Sequence, residues 1–375
     1  MGIRLAVRKG RIINRFPQII PGGRKTYPKF KFKLIALSAI SPKRRFTAGK
    51  NLSESAHYQA ANPMLGLGLC RELKKMIKKL TFTLSLLLIW VQPVIAERVC
   101  LPDGVELPAS WYLNFEPHRV IGNLYAVGGA DLSVYLLTTK DGHILINTGM
   151  ENSSTFIRRN IETLGFNISD VKILLVQQAH FDHTLALAEL KKLTGAELWA
   201  TAADAPILED GGKSDPHFGE CSDFRFPPVE VDRIITDQEV IRLGNLRLKT
   251  HLHPGHTQGS SSYTFTHSEN NISYNVIVAN MGSINQGKKL LYAPTYAAVA
   301  EDFDRTYRAQ LALPIDIWVA AHASQYGRDK KYEPGQVYKP STFVDPQGYT
   351  DAVLALQATF VRQLLEEARA PHARP

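Results

Sequence analysis

The segment VQQAHFDHT, residues 176–184, sets three potential metal ligands side by side: His180, Asp182 and His183. His256 stands in a Pro-Gly turn, HPGHT (253–257), and His322 ends the apolar run DIWVAAH (316–322). Imidazole and carboxylate together suit zinc, and three protein ligands plus an open position make a catalytic rather than a structural site. The chemistry on offer is hydrolysis, because zinc lowers the pKa of its water and polarises a carbonyl. One position departs from an H-x-H-x-D-H pattern: Gln178 stands where its first His would be. A Gln amide oxygen is neutral, harder and less basic than imidazole, so a group built on it is expected to hold zinc more weakly. Any one strand-end His is an ordinary polar residue, and only the ordered set points to a metal. His251 and His253 flank the turn and read as support or surface. His217, His143 and His267 read as exposed loop, strand or turn positions.

These side chains need strands to hold them. Apolar runs predict strands at 119–127, 132–139, 143–149 and 171–177, then at 233–237, 239–243, 245–252, 261–267, 271–280 and 316–322. Helical spacing marks 154–166, with Phe156, Ile157, Ile161 and Leu164 on one side and Gly165 as its stop. Further helices are expected at 184–195, 297–313 and 350–368. Strands mixed with helices, some runs alternating and others continuously apolar, give an α/β fold of layers with mixed sheets. Gln178, His180, Asp182, His183, His256 and His322 then fall in three strand-end loops able to converge on one sheet edge. The chain shows no Gly-rich phosphate loop and no G-x-S-x-G elbow.

Charge separates the chain into two parts. The formal net charge is +9, from 44 Lys+Arg and 35 Asp+Glu. Residues 1–96 hold 19 of the basic residues but only two acids, Glu54 and Glu72, leaving 25 basic against 33 acidic residues in 97–375. The larger part is mildly acidic, which argues against a nucleic-acid partner. Residues 76–96, MIKKLTFTLSLLLIWVQPVIA, combine Lys78 and Lys79, an apolar run from Leu80 to Val91 and the ending Val94-Ile95-Ala96. This is the anatomy of a secretory signal peptide, and the run is short for a membrane span. Met76 is the expected start, and 1–75 are expected to be a misassigned or disordered extension. Cleavage after Ala96 would leave residues 97–375 as one domain, periplasmic or secreted, with Cys100 and Cys221. Export permits a bridge between them, but spacing does not decide it.

AHFDH, PGHT and VAAHASQ, together with DGHILINTG (141–149), resemble the metallo-β-lactamase superfamily. LVQQAHFDHT, HPGHTQGS, VIVANM and DIWVAAHASQ are most similar to its third subclass of true β-lactamases. Within that subclass they match the GOB-like group, which carries Gln at the first ligand position. The likeness spans roughly residues 108–365 and none of 1–75.

The resemblance implies an αββα four-layer sandwich. It implies a first zinc site of Gln178, His180 and His256, and a second of Asp182, His183 and His322. One or two zinc ions are expected, the second site being tighter. Hydroxide at the metals would attack the amide carbonyl of a penicillin, cephalosporin or carbapenem, with Asp182 orienting the nucleophile and no covalent enzyme intermediate. Related hydrolases place a metal-bridging Asp near Asn280 and Met281; neither residue is a carboxylate, which favours a lactamase over a lactonase or thioesterase. Met281 and Ser283 are expected at the substrate, Ser283 through the substrate carboxylate, and Trp111 over the pocket. Leu185 departs from the usual Gly and would either narrow the site or pack inward. The expected partner is a small β-lactam, with a monomeric enzyme and no stable membrane association after cleavage. Another hydrolase of the fold, or an inactive metal-binding relative, is the alternative.

Overall fold

The structure, a computed structural model, describes Cys100 and residues 106–370. The expected signal peptide and the 1–75 extension lie outside the described residues.

The first sheet runs in chain order: β1 (His118–Ile121), β2 (Leu124–Ala126), β3 (Tyr135–Thr139), β4 (Gly142–Ile146), β5 (Val171–Leu175), β6 (Glu197–Thr201) and β7 (Arg233–Ile235). β1 to β4 pair antiparallel, and β4 to β7 pair parallel. The second sheet is ordered β12-β11-β10-β9-β8. Its strands are β8 (Val240–Leu243), β9 (Leu246–Leu252), β10 (Ser261–Glu269), β11 (Ile272–Ala279) and β12 (Ile317–Ala320). Only the β11–β12 pair is parallel. Helices α1 (Ser153–Thr163), α2 (Phe181–Thr184), α3 (Leu187–Thr194) and α4 (Ala205–Glu209) belong to the first half. The second half carries α5 (Val299–Leu311), α6 (Ala323–Tyr326), α7 (Arg328–Lys331) and α8 (Pro346–Arg369).

Side-chain alternation on β3 explains the layering. Tyr135 and Leu137 enter a core shared with Leu248, Tyr263 and Val276 of the second sheet. Leu136 faces the other way, into a core with Phe156, Ile157 and Ile161 of α1 and Leu187 and Leu190 of α3. Phe303 and Tyr307 of α5 and Val353 and Phe360 of α8 cover the second sheet. The result is helix, sheet, sheet, helix: the expected αββα sandwich.

Three local expectations change. The run 119–127 is a hairpin, not one strand, because Gly122 takes a left-handed φ of 53° and Ile121 pairs with Leu124. The helix expected over 184–195 is broken: α2 ends at Thr184 and α3 begins at Leu187. β6, Glu197–Thr201, has no counterpart among the predicted strands; it is a short run between β5 and β7 that parallel pairing completes. Cys100 and Cys221 are joined in a disulfide across 121 residues of sequence.

Candidate metal centre

Gln177, just past the end of β5, anchors the loop that carries the first candidate ligands. Asn147 follows β4 at φ 66°, a left-handed conformation that Asn tolerates better than most residues. Its Oδ1 accepts from Gln177 N at 2.9 Å, and its Nδ2 donates to Gln177 Oε1 at 2.8 Å. The Gln177 carbonyl accepts from Ser261 N and from Asn280 Nδ2, and Gln177 Nε2 donates to Val278 O. The loop is therefore fastened to both sheets. Gln178 follows, and His180 caps α2, whose first turn presents Asp182 and His183. Thr148 pins His183 by donating N–H and O–H to its carbonyl.

Asp204 ties this loop to the next one. Its carboxylate accepts from Ala179 N at 3.0 Å, Thr257 Oγ1 at 2.9 Å and Gly259 N at 2.9 Å. Burial pushes its pKa up to about 6, against the opposing pull of the Thr257 bond and of His180. Lys288, also buried, donates to the carbonyls of Gly255 and His256 at 3.0 and 2.5 Å and closes the Pro-Gly turn from below. His322 caps α6 at the end of β12.

Five of the six predicted residues line one cleft of about 430 Å³, and His183 joins Asp182 and His322 beside it. They form two groups. In the first, His180 Nδ1 lies 3.0 Å from His256 Nε2, and the buried Gln178 Oε1 has no hydrogen-bond partner. In the second, Asp182 Oδ2 lies 3.0 Å from His183 Nε2 and 3.3 Å from His322 Nε2, and one donor atom from each of the three falls within 4.8 Å of the others. His183 Nε2 has only the Asp182 carboxylate beside it. A buried polar atom without a partner is uncommon, and a cation facing Gln178 Oε1 would satisfy it. The donor set therefore fits zinc.

Three of the imidazoles are held from behind. His322 Nδ1 is 3.1 Å from Asp131 Oδ2, His256 Nδ1 is 2.7 Å from Ser283 O, and His180 Nε2 is 3.3 Å from Asp215 Oδ2. Each acceptor leaves the other ring nitrogen free to face the cleft, the usual arrangement behind metal-binding His. Burial lowers the pKa of His183, with Asp182 pulling the other way. Burial, followed by the charges of His180 and Lys288, holds His256 well below the usual range. Both rings are neutral near pH 7, as ligation requires. Burial opposes ionisation of Asp182, but His183 and then His322 hold it well below the usual carboxylate range. Burial lowers His322 too, yet Asp131 and Asp182 outweigh it and raise its pKa to about 9. Two carboxylates beside one ring thus demand positive charge, from a proton or from a metal cation.

Met281 is buried and lines the cleft, as does Ser283. The Ser283 carbonyl is turned to His256, a role its hydroxyl did not suggest. Trp111 lines the cleft and donates to Asp131 Oδ2 at 3.2 Å. Leu185 packs on the core beneath α3 and is absent from the cleft lining. His251 and His253 are buried, not on the surface, bonded to Thr264 Oγ1 and Ser262 Oγ at 2.7 Å each. His143 is likewise buried, and His217 is half-buried, in the loop that brings Phe218 to the cleft. Asp131, Asp204, Asp215 and Lys288 were not legible as site residues. Each lies in an ordinary loop or helix-end context, and only the folded chain brings it to a candidate ligand. A larger hollow of about 1610 Å³, by Lys140 and Arg247, contains none of this chemistry.

Known proteins share this arrangement of elements. The sequence pattern of the metallo-β-lactamase superfamily matches residues 128–268. The metallo-β-lactamase GOB-18 from Elizabethkingia meningoseptica is 40% identical, aligned over 71% of this chain and 98% of its own, with a TM-score of 0.68. A β-lactamase from Chitinophaga pinensis is 39% identical over 71% of this chain and all of its own, also at 0.68. The class B3 di-zinc enzyme LRA-12, from an Alaskan soil metagenome, is 42% identical over 70% of this chain and all of its own, at 0.67.

Proposed function

Because the chain belongs to the metallo-β-lactamase superfamily, we propose that it is an exported, zinc-dependent β-lactamase that opens the amide ring of penicillins, cephalosporins or carbapenems. The observation that carries this reading is the convergence of two donor groups, with Gln178 Oε1 unpartnered, at one cleft of a chain whose sequence is 40% identical to GOB-18. Gln178, His180 and His256 would hold one ion; Asp182, His183 and His322 would hold the other. Zinc, when bound, supplies a Lewis acid and a source of hydroxide near neutral pH.

This chain's residues supply the rest. Asp182, ionised and lining the cleft, is placed to accept a hydrogen bond from the attacking water and orient it. Asn280 and Met281 also line the cleft without a carboxylate, which favours a lactamase over relatives that need a bridging Asp there. The Ser283 hydroxyl, in the same lining, is suited to the carboxylate that β-lactams carry. The second group, which owns the carboxylate, is expected to fill before the group with the neutral Gln178.

Export rests on the sequence of 76–96. The Cys100–Cys221 bridge supports it, since disulfides persist in oxidising compartments. Among the described residues, no helix is long and apolar enough to cross a membrane. An exported enzyme of this kind would meet β-lactams where they act and confer resistance.

The test is turnover of a chromogenic cephalosporin and a carbapenem by purified residues 97–375, zinc-loaded, with and without chelator. Chelator-sensitive hydrolysis is the expected result. Zinc uptake without hydrolysis of either drug would move the reading to another substrate of this fold, and no zinc uptake would mark a lost site.

A further inference from the structure

We propose that Asp215 is the positioning residue of the first zinc group, supplying through His180 the negative charge that Gln178 does not. The inference rests on the zinc reading above. For His180 to offer Nδ1 beside His256 Nε2, its proton must sit on Nε2, and a buried N–H needs an acceptor. Asp215 Oδ2 is that acceptor, at 3.3 Å, and Asp215 is itself buried.

The carboxylate is fixed by its own loop. Its other oxygen accepts from His217 N at 2.7 Å and Phe218 N at 2.6 Å, and its backbone carbonyl accepts from Gly219 N at 2.8 Å. Gly219 is required there, because a Cβ would fall 2.3 Å from the Asp215 carbonyl oxygen. Phe218, next in the same loop, sets its ring edge-on to His180 at 5.0 Å, and Cys221 ties the loop to Cys100. A carboxylate behind an imidazole makes the ring a more basic donor. The second group has its own carboxylate in Asp182; the first has none among its three proposed ligands, so Asp215 is where its charge comes from.

Zinc titration of the metal-free protein against a chromophoric chelator tests this, because the two equivalents are read separately. The wild type is expected to take up a tight and a weaker equivalent. Asp215→Ala should weaken the weaker one about 10–100-fold and leave the tighter one within about twofold. Asp215→Asn, which keeps an acceptor without the charge, should fall between. It also keeps the test decisive if the alanine variant does not fold. Two unchanged equivalents, or a parallel loss of both, would overturn the proposal while leaving the zinc reading intact. A wild type that binds no zinc would overturn both.

Discussion

At the scale of single residues, the site is defined by what each donor atom lacks. Gln178 Oε1 is buried and unpartnered, a costly state for a polar atom. The amide is a poorer zinc ligand than imidazole for reasons of charge and basicity. Gln178→His is therefore expected to tighten the weaker zinc equivalent by about tenfold or more, ~1.4 kcal/mol. Chelator competition reads this directly, and an unchanged affinity would show that basicity at this position does not limit binding. The carboxylates behind the rings, Asp131 and Asp215, have a second consequence: with His256 backed by a carbonyl, they fix which nitrogen of each ring faces the cleft.

At the scale of elements, precision comes from strand ends tied across the sheets. β5 and β12 each end just before proposed ligands, and the turn after β9 carries His256. The loop between α4 and β7 is different, because it lies outside both sheets. Its anchors include the Cys100–Cys221 bridge, the Asp215 turn and Thr295 Oγ1 donating to Pro216 O at 2.7 Å. A bridge spanning this much sequence restricts the unfolded chain strongly. Replacing both cysteines by serine should lower the unfolding free energy by about 2–5 kcal/mol. Denaturant unfolding of the oxidised wild type and the double variant would measure it, and equal midpoints would mean the loop is held by its other contacts alone.

At the scale of the whole molecule, buried titratable groups outside the site set the acid limit of the fold. His118 on β1 stacks on Tyr332 at 3.9 Å and lies 5.8 Å from Phe343, joining the first strand to the segment before α8. Burial lowers its pKa from 6.5 to about 4, despite the Glu116 carbonyl pulling it up. The unfolded chain therefore binds a proton that the folded chain refuses between those values. The contribution of His118 is full above about pH 6.5 and is lost as pH falls toward 4, by up to about 3 kcal/mol. Chemical denaturation of the wild type and His118→Gln at pH 7 and pH 4.5 should show a smaller pH dependence in the variant. Equal slopes would assign acid sensitivity to other groups.

The sequence by itself determined the candidate ligand types and the strand ends that bear them, because both are local: H-x-D-H is one turn of chain, and apolar runs mark strands wherever they pair. It also determined the αββα class through its likeness to a family. It did not determine the hairpin at Gly122, the break at Leu185 or the short β6, since each depends on a partner strand or packed core far away in sequence. The burial of His143, His251 and His253 was hidden for the same reason: a histidine's exposure is set by what folds over it. Tertiary structure alone decided that Cys100 meets Cys221, that Asp131 stands behind His322 and Asp215 behind His180, and that Leu185 turns into the core. These are contacts between residues separated by long stretches of chain, and no local pattern of residue types encodes a meeting that only the packing of two sheets brings about.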